Sequence, residues 1–521
     1  MKYFFWLFAT IIYLSPHSLI AQAAHDCGTD HDTHLQLAES IVKLRQAISE
    51  EEILFLKNSR NITYIPVSFH LVADTNGLNK PNLDIPHIAL CMLNNDFRPY
   101  NIQFYFHYTL PIRIYKSNQA FYEDAYANYP SRINNQTSYA LNIYIGKNAS
   151  RTAGFYVYSG DYIFVRDRYV FNPQNPTNIY KTLTHEVGHF LGLTHTFAPW
   201  SNINYDSVYA NRNAPTIFNS RPVENKARSG SQKNCDNSGD FLCDTPADYY
   251  SQRNYCTFIP TGKDPYGETI SPDKSNYMSY FNDDCMSSFT AHQVDVMFRN
   301  IIDRGWHNRA PVNYPNISGN YIHHLSPINN DTLIVYNQLN LRWAHLQGAS
   351  HFILQLFEII DDSTSLLIHE NFVSNSSIQL FDNNYTVNIP RNGKYKWSLQ
   401  AVSQTGCMTM NADDIYFIAQ VQEAPSVAIH ELNTELPFNI KIYPNPIIEG
   451  TPITLNITAQ YNTRAKLKIY TIDGRLIGIE NIYLQAQENH ITLQYTTLNT
   501  GIYIVQLESK VAMVQSKFIV L

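Results

Sequence analysis

The spacing of apolar positions changes character several times along the chain. Leu35, Leu37, Ile41, Leu44, Ile48 and Leu54 recur at near-helical spacing among Glu, Lys and Gln, which predicts an amphipathic helical segment over residues 34–57 that reads as a prosegment, not a core. From Ile62 the period shortens. Tyr64-Ile65-Pro66-Val67-Ser68-Phe69-His70-Leu71-Val72 and Leu141-Asn142-Ile143-Tyr144-Ile145 have the texture of strands, and the mixed α and β domain that they open ends in a helical stretch at 291–302. Residues 311–315, bounded by two prolines, read as a linker. Beyond it strand follows strand, at 339–343, 352–357 and 395–401, as in a β-sandwich of about a hundred residues. A second shift at 422–437 precedes a hairpin, 466–472 and 475–479 around Asp473-Gly474, in a last small β domain.

Composition narrows the class. At 521 residues the chain is long enough for about three or four folding units, and 44% hydrophobic with 13% aromatic content is ample for packed cores. A net charge of −7 without a long basic run gives no footprint for nucleic acid or an anionic membrane surface. Lys2, the apolar run 4–14 and Ala21-Gln22-Ala23 read as a signal peptide over 1–23. No later run of about 18 apolar residues occurs, so no transmembrane segment is expected. Seven cysteines suit an oxidising compartment. Cys235, Cys243, Cys256 and Cys285 cluster as candidates for local disulfides of open connectivity, whereas Cys27, Cys91 and Cys407 stand apart. The odd total leaves at least one thiol unpaired.

The chemistry lies in Thr184-His185-Glu186-Val187-Gly188-His189-Phe190-Leu191-Gly192-Leu193-Thr194-His195. On a helix His185 and His189 are one turn apart and can share one Zn²⁺. Gly192 permits the positive φ that ends the helix and brings His195 round as third ligand. Three protein ligands leave a position open for water, which Glu186 can reach as general base. A chance His-Glu-x-x-His is expected in roughly a few of every hundred such chains, and Gly192 with His195 lowers that about a thousandfold.

This motif, with Gly239-Asp240-Phe241-Leu242-Cys243-Asp244-Thr245-Pro246 and Asn276-Tyr277-Met278-Ser279-Tyr280, resembles the metzincin zinc metalloproteases of the pappalysin, ulilysin-like branch over roughly residues 60–300. The region 198–231 looks like an insertion. The resemblance implies an α+β catalytic domain, a twisted mixed sheet plus active-site helix, and peptide-bond hydrolysis in a protein or peptide substrate. It makes Met278 the apolar floor beneath the histidines and Tyr280 a donor to the tetrahedral oxyanion. It places Asp284 in the pocket for the residue after the scissile bond, where a carboxylate favours Arg or Lys. It also sets Asp240 and Thr245 at a calcium (Ca²⁺) position, for which a simple turn is an equal reading.

Cys27, in Asp26-Cys27-Gly28-Thr29, resembles the family's prosegment cysteine, whose thiolate fills zinc's open position until cleavage after Lys57 or Arg60. A disulfide partner or a lipid attachment site is the other reading, without a lipobox to support the latter. The first sandwich, with Leu341-Arg342-Trp343 and Tyr395-Lys396-Trp397, resembles a fibronectin type III-like domain whose tryptophans are core. The last domain, with Tyr443-Pro444-Asn445-Pro446 and Gly501-Ile502-Tyr503, resembles a type IX secretion C-terminal sorting domain. That implies export machinery as a partner and a secreted or surface-attached protein of a Gram-negative bacterium. The expected layout is a signal over 1–23, a prosegment over 24–60, a catalytic domain over 61–310, and two all-β sandwiches over 316–422 and 438–521. A catalytically silent surface adhesin is the alternative function, and a hydrolase of the same zinc architecture acting on a non-peptide amide is a third.

Overall fold

The computed structural model describes residues 27–58, 62–77, 79–107, 111–116, 136–147, 152–174, 180–200, 205–209, 211–250, 253–254, 256–258, 262–306, 316–319, 321–336, 338–375, 382–422, 438–447, 452–471, 476–493, 498, 501–509 and 513–520. The signal peptide, Arg60, the 311–315 linker, most of 422–437 and the turn at 473–475 lie outside the described residues. The chain divides into two units, 1–422 and 423–521.

In the first unit the central element is β1 (Thr63–Ala73), an unbroken buried run from Ile65 on, as a parallel strand covered on both faces requires. Its first half pairs with β2 (Ile102–Phe106), its second half with β3 (Ile112–Lys116), and its other edge with β4 (Leu141–Gly146), all in parallel. β5 (Gly154–Val157) and β6 (Tyr162–Arg166) complete the order β2-β1-β4-β6-β5, with β5 antiparallel at the edge. The motif helix Thr182–Phe190 packs on β5 and β6 with all nine residues buried. The helix Ala291–Asp303 opens on a capping box between Thr290 and Gln293.

The amphipathic N-terminal segment forms two helices, α1 (His31–Ala47) and α2 (Glu50–Asn58), not one. The break moves the apolar face: Ile53 is buried, whereas Leu54 is 57% exposed. Leu37, Ile41, Leu44, Ile48 and Ile53 also join the same hydrophobic cluster as β1 and the motif helix, which corrects the expectation that this segment stands apart from the core. Helix α3 (Ile85–Phe97), with Pro86 in its first turn, packs on β2 and the motif helix. Two small hairpins, β7 (Ile217–Phe218) with β8 (Arg221–Pro222) and β9 (Arg253–Asn254) with β10 (Thr257–Phe258), come in chain order between the motif helix and the helix Ala291–Asp303. Trp200, Tyr205, Ala214, Val223 and Tyr249 form a separate small core here, which overlaps the 198–231 region read as an insertion.

The sandwich strands are β11 (His324–Ser326), β12 (Asp331–Val335), β13 (Gln338–Trp343), β14 (Ala349–Ile359), β15 (Ser365–Ser374), β16 (Asn383–Asn388), β17 (Gly393–Ser403), β18 (Thr409–Asn411) and β19 (Ile415–Val421). They form sheets β11-β13-β16 and β12-β19-β17-β14-β15, with β18 on β17, around a core that holds Trp343, Tyr395 and Trp397. Cys91 on α3 is bonded to Cys407 in the turn after β17, so these two cysteines do not stand apart as their isolation in sequence suggested. Around that bond Phe106 N donates to Gln404 O at 2.9 Å, Asn94 Nδ2 donates to Thr405 O at 2.9 Å, and Lys80 pairs with Glu370 at 2.6 Å.

The second unit holds β20 (Phe438–Tyr443), β21 (Ile453–Ala459), β22 (Thr463–Thr471), β23 (Leu476–Leu484), β24 (Gln487–Leu493), β25 (Gly501–Ser509) and β26 (Met513–Val520). Sheets β20-β21-β24 and β23-β22-β25-β26 enclose one apolar core. The antiparallel pairing of β22 with β23 is the hairpin read at 466–479. Among the described residues no helix is long and apolar enough to cross a membrane.

Candidate metal centre and active site

The motif helix ends at Phe190, and Gly192 takes φ +98°, so the chain reverses and returns His195 to the helix. The three imidazoles then converge, with Nε2 of His185 3.1 Å from Nε2 of both His189 and His195 and the last pair 3.2 Å apart. Nδ1 of His185 meets Tyr277 O at 2.7 Å and Nδ1 of His189 meets Leu193 O at 2.8 Å. A carbonyl only accepts, so both Nδ1 atoms carry the proton and both Nε2 atoms present lone pairs. Burial, then the neighbouring His185 and His34, hold His189 well below its ordinary pKa and so neutral. Lone pairs packed this closely repel unless a cation lies among them. Tetrahedral zinc with bonds of about 2.0 Å spaces nitrogen ligands by about 3.3 Å, so this donor set fits the ion.

Met278 is fully buried against the motif helix, where a Cβ on Gly188 would come 2.3 Å from its sulfur. The helix must therefore be bare at that position. Glu186 is fully buried, accepts from Thr29 Oγ1 at 3.2 Å through Oε2, and has no hydrogen-bond partner at Oε1 among the described residues. Burial pushes its carboxyl up to about 8. The Tyr280 hydroxyl donates to Cys27 O at 3.4 Å, and burial followed by the neighbouring Cys27 and Glu186 raises its pKa, which keeps it a donor. Cys27 Sγ lies 3.6 Å from His189 Nε2 and groups with the three histidines as a possible metal cluster. A small cavity beside Glu186 is lined by Cys27, Ala153, Thr182, Ser279, Tyr280 and Met286 among others. Asp284 is exposed and is not among the lining residues; its neighbour Asp283 is buried.

Two stretches match known families. Residues 145–204 match the family model described as pregnancy-associated plasma protein-A, and residues 441–521 match the one described as secretion system C-terminal sorting domain. An extracellular metalloprotease of Neurospora crassa is 26% identical over 287 residues, 51% of this chain and 85% of that protein. Pappalysin-1 of Homo sapiens is 29% identical over 127 residues, which is 24% of this chain and 7% of its own length. The chain is thus similar to extracellular metalloproteases over about half its length and to the pappalysins around the motif. Its C-terminal match marks it as a secreted or cell-surface protein. The fibronectin(III)-like modules of Clostridium thermocellum CbhA overlap 38% of the chain at 11% identity, but a TM-score of 0.15 is too low to support an argument.

Around the three histidines, the structure adds residues that the motif did not reveal. Asp96 on α3 accepts from Thr184 Oγ1 and Lys181 Nζ, both at 2.6 Å, and from the Tyr277 hydroxyl at 3.2 Å, fixing the motif helix and the segment that orients His185. The His34 ring centroid lies 4.2 Å from that of His195. Asp240 and Thr245 do meet, Thr245 Oγ1 donating to Asp240 Oδ1 at 2.9 Å. Asp240 Oδ2 has no hydrogen-bond partner among the described residues, burial raises its carboxyl to about 7, and buried Glu224, ion-paired with Arg228 at 3.0 Å, lies near it. Cys235–Cys243 and Cys256–Cys285 are the local disulfides, and among the described cysteines Cys27 is free. Thr29, His34 and Asp96 carry no local signal, because each reaches the site across 85 residues or more.

Proposed function

We propose that the chain is a secreted zinc-dependent metalloendopeptidase in which His185, His189 and His195 hold the ion. The observation that carries this reading is the convergence of three Nε2 atoms beside a buried, half-partnered Glu186. Zinc supplies a Lewis acid that lowers the pKa of a water to about 7 and polarises a carbonyl. Glu186 takes that water's proton through its open Oε1 side and returns it to the leaving amine. The Tyr280 hydroxyl donates to the carbonyl oxygen as charge builds there. Met278 packs beneath the histidines and fixes their level. In the zymogen, Cys27 supplies a fourth ligand atom and residues 24–60 are the prosegment, lost by cleavage after Lys57 or Arg60. The catalytic domain spans 61–310, and the two sandwiches span 316–422 and 438–521, the latter read by outer-membrane export machinery of a Gram-negative bacterium. Asp284 carries a preference for Arg or Lys after the scissile bond, and Asp240 with Thr245 holds calcium.

The test is cleavage of a mixed peptide library by the processed protein, with mass spectrometry of the new termini, beside Glu186→Ala and a chelator control. Cutting by wild type, silence in both controls, and Arg or Lys after the cut are expected. A processed protein that binds zinc and cuts nothing refutes the peptidase reading, and cutting without basic residues there refutes the role of Asp284.

A further inference from the structure

We propose that Thr29 is a second latency lock, one that disables Glu186 whether or not the Cys27 thiol is present. The inference rests on Glu186 being the general base and on residues 24–60 being a prosegment. Thr29 is 7% exposed, and its single hydroxyl does two things. It donates to Glu186 Oε2 at 3.2 Å and accepts from the Tyr156 backbone N–H at 2.9 Å. A hydroxyl is the one small group that can give one proton and take another at the same atom. Valine there would have the same shape and would leave both a buried carboxylate oxygen and a buried edge-strand amide without that partner.

The position of Thr29 does not depend on the thiol. Gly28 N donates to Gly154 O at 2.7 Å, so the segment pairs with the outer edge of β5 through its own backbone. A Cβ on Gly28 would meet the Thr152 hydroxyl at 2.7 Å, which keeps that residue bare and the approach close. On the other side, Asp30 caps α1 by accepting from Thr33 N at 2.7 Å, and α1 is held by its buried Leu37, Ile41 and Leu44. The lock is therefore fixed at both ends by main-chain pairing and apolar burial. With Thr29 in place, the carboxylate that must take a proton is already engaged, and the Tyr156 amide cannot receive an extended chain along β5.

The experiment uses the full chain as wild type, Cys27→Ala, Thr29→Val, Thr29→Ser and the double variant Cys27→Ala/Thr29→Val, each assayed intact and after removal of the prosegment. The intact Cys27→Ala chain is expected to stay at least about tenfold less active than its own processed form, and Thr29→Val added to it raises activity about tenfold or more. Thr29→Ser keeps the hydroxyl and latency, which separates the lock from a general loosening. Full activity of intact Cys27→Ala, or a double variant no more active than Cys27→Ala, overturns the proposal. Hydrogen exchange at the Tyr156 amide in chelator-treated full chain gives a readout apart from catalysis. Thr29→Val speeds that exchange about tenfold or more while Thr29→Ser does not, and unchanged exchange refutes the contact. If the processed wild type cuts nothing, the peptidase reading fails and the exchange result still decides whether Thr29 holds Glu186 and Tyr156.

Discussion

His351, on β14 where the sandwich meets the catalytic sheet, is a buried base whose cost can be worked out from its surroundings. It is 1% exposed, the ring of Phe106 stands at right angles to it at 4.8 Å and that of Phe372 lies at 5.7 Å, and its Nε2 has no hydrogen-bond partner among the described residues. Burial, followed by the neighbouring His87, lowers its pKa from 6.5 to about 3. The unfolded chain therefore binds a proton that the folded chain refuses, so this contribution is complete above pH 6.5 and is lost as the pH falls below it. Between pH 8 and pH 5 the gap amounts to about 1.5 decades of proton binding, or about 2 kcal/mol of stability. His351→Phe keeps an aromatic ring and removes the titration. His70, buried with a pKa of about 4, adds its own loss in both proteins and cancels in the comparison. Urea denaturation at the two pH values should show the variant losing about 2 kcal/mol less than wild type. Equal losses would mean that His351 is solvated or partnered in the fold, and the account of the junction would be wrong.

Gly188→Ala drives a methyl into the Met278 sulfur and is expected to cost about 1–3 kcal/mol by thermal unfolding, with Met278→Ala in the same chain recovering part of the loss. If the single variant melts like wild type, Met278 does not sit where it has been placed. Asp96→Ala strands Lys181, whose side chain is 14% exposed, and frees Thr184 and Tyr277; a loss of about 3 kcal/mol is expected, with zinc affinity falling in parallel by titration. Unchanged zinc affinity would exclude Asp96 as an anchor of the histidine helix. Cys91→Ser and Cys407→Ser should each lower stability by about 2–4 kcal/mol, since the bond closes a span of 316 residues, and the double variant should match either single one in urea. Additive losses would show that the two sulfurs are not partners.

The histidines, Glu186 and Gly192 were legible because eleven consecutive residues encode their geometry: one helical turn, one reversal and one return. The strand runs of β1 and β4 were legible for a similar reason, since continuous burial writes a continuous apolar run. The face of α2 was not, because the break at Ile48 and Ser49 restarts the helical phase and exchanges Ile53 for Leu54, and spacing counted across a break has no meaning. The motif gave no role to Gly188, yet its bareness is set by a methionine 90 residues later, in a segment that only the fold brings against it. The pairing of Cys91 with Cys407 could not follow from spacing, because seven cysteines admit many connectivities and this bond joins the catalytic sheet's helix to the sandwich.

The burial of α1 and α2 in the shared core bears on the lifetime of the protease. Leu37, Ile41, Leu44, Ile48 and Ile53 share the core with β1 and the motif helix, so the proposed processing between α2 and β1 would sever part of that core from the catalytic domain. On that proposal the chain would fold with one sequence and work with a shorter one. An enzyme without these helices would lack part of the core present in the full chain, and its persistence would depend on how slowly it unfolds, not on how readily it refolds. Each molecule would then be a single-use device whose clock starts at the proposed cleavage.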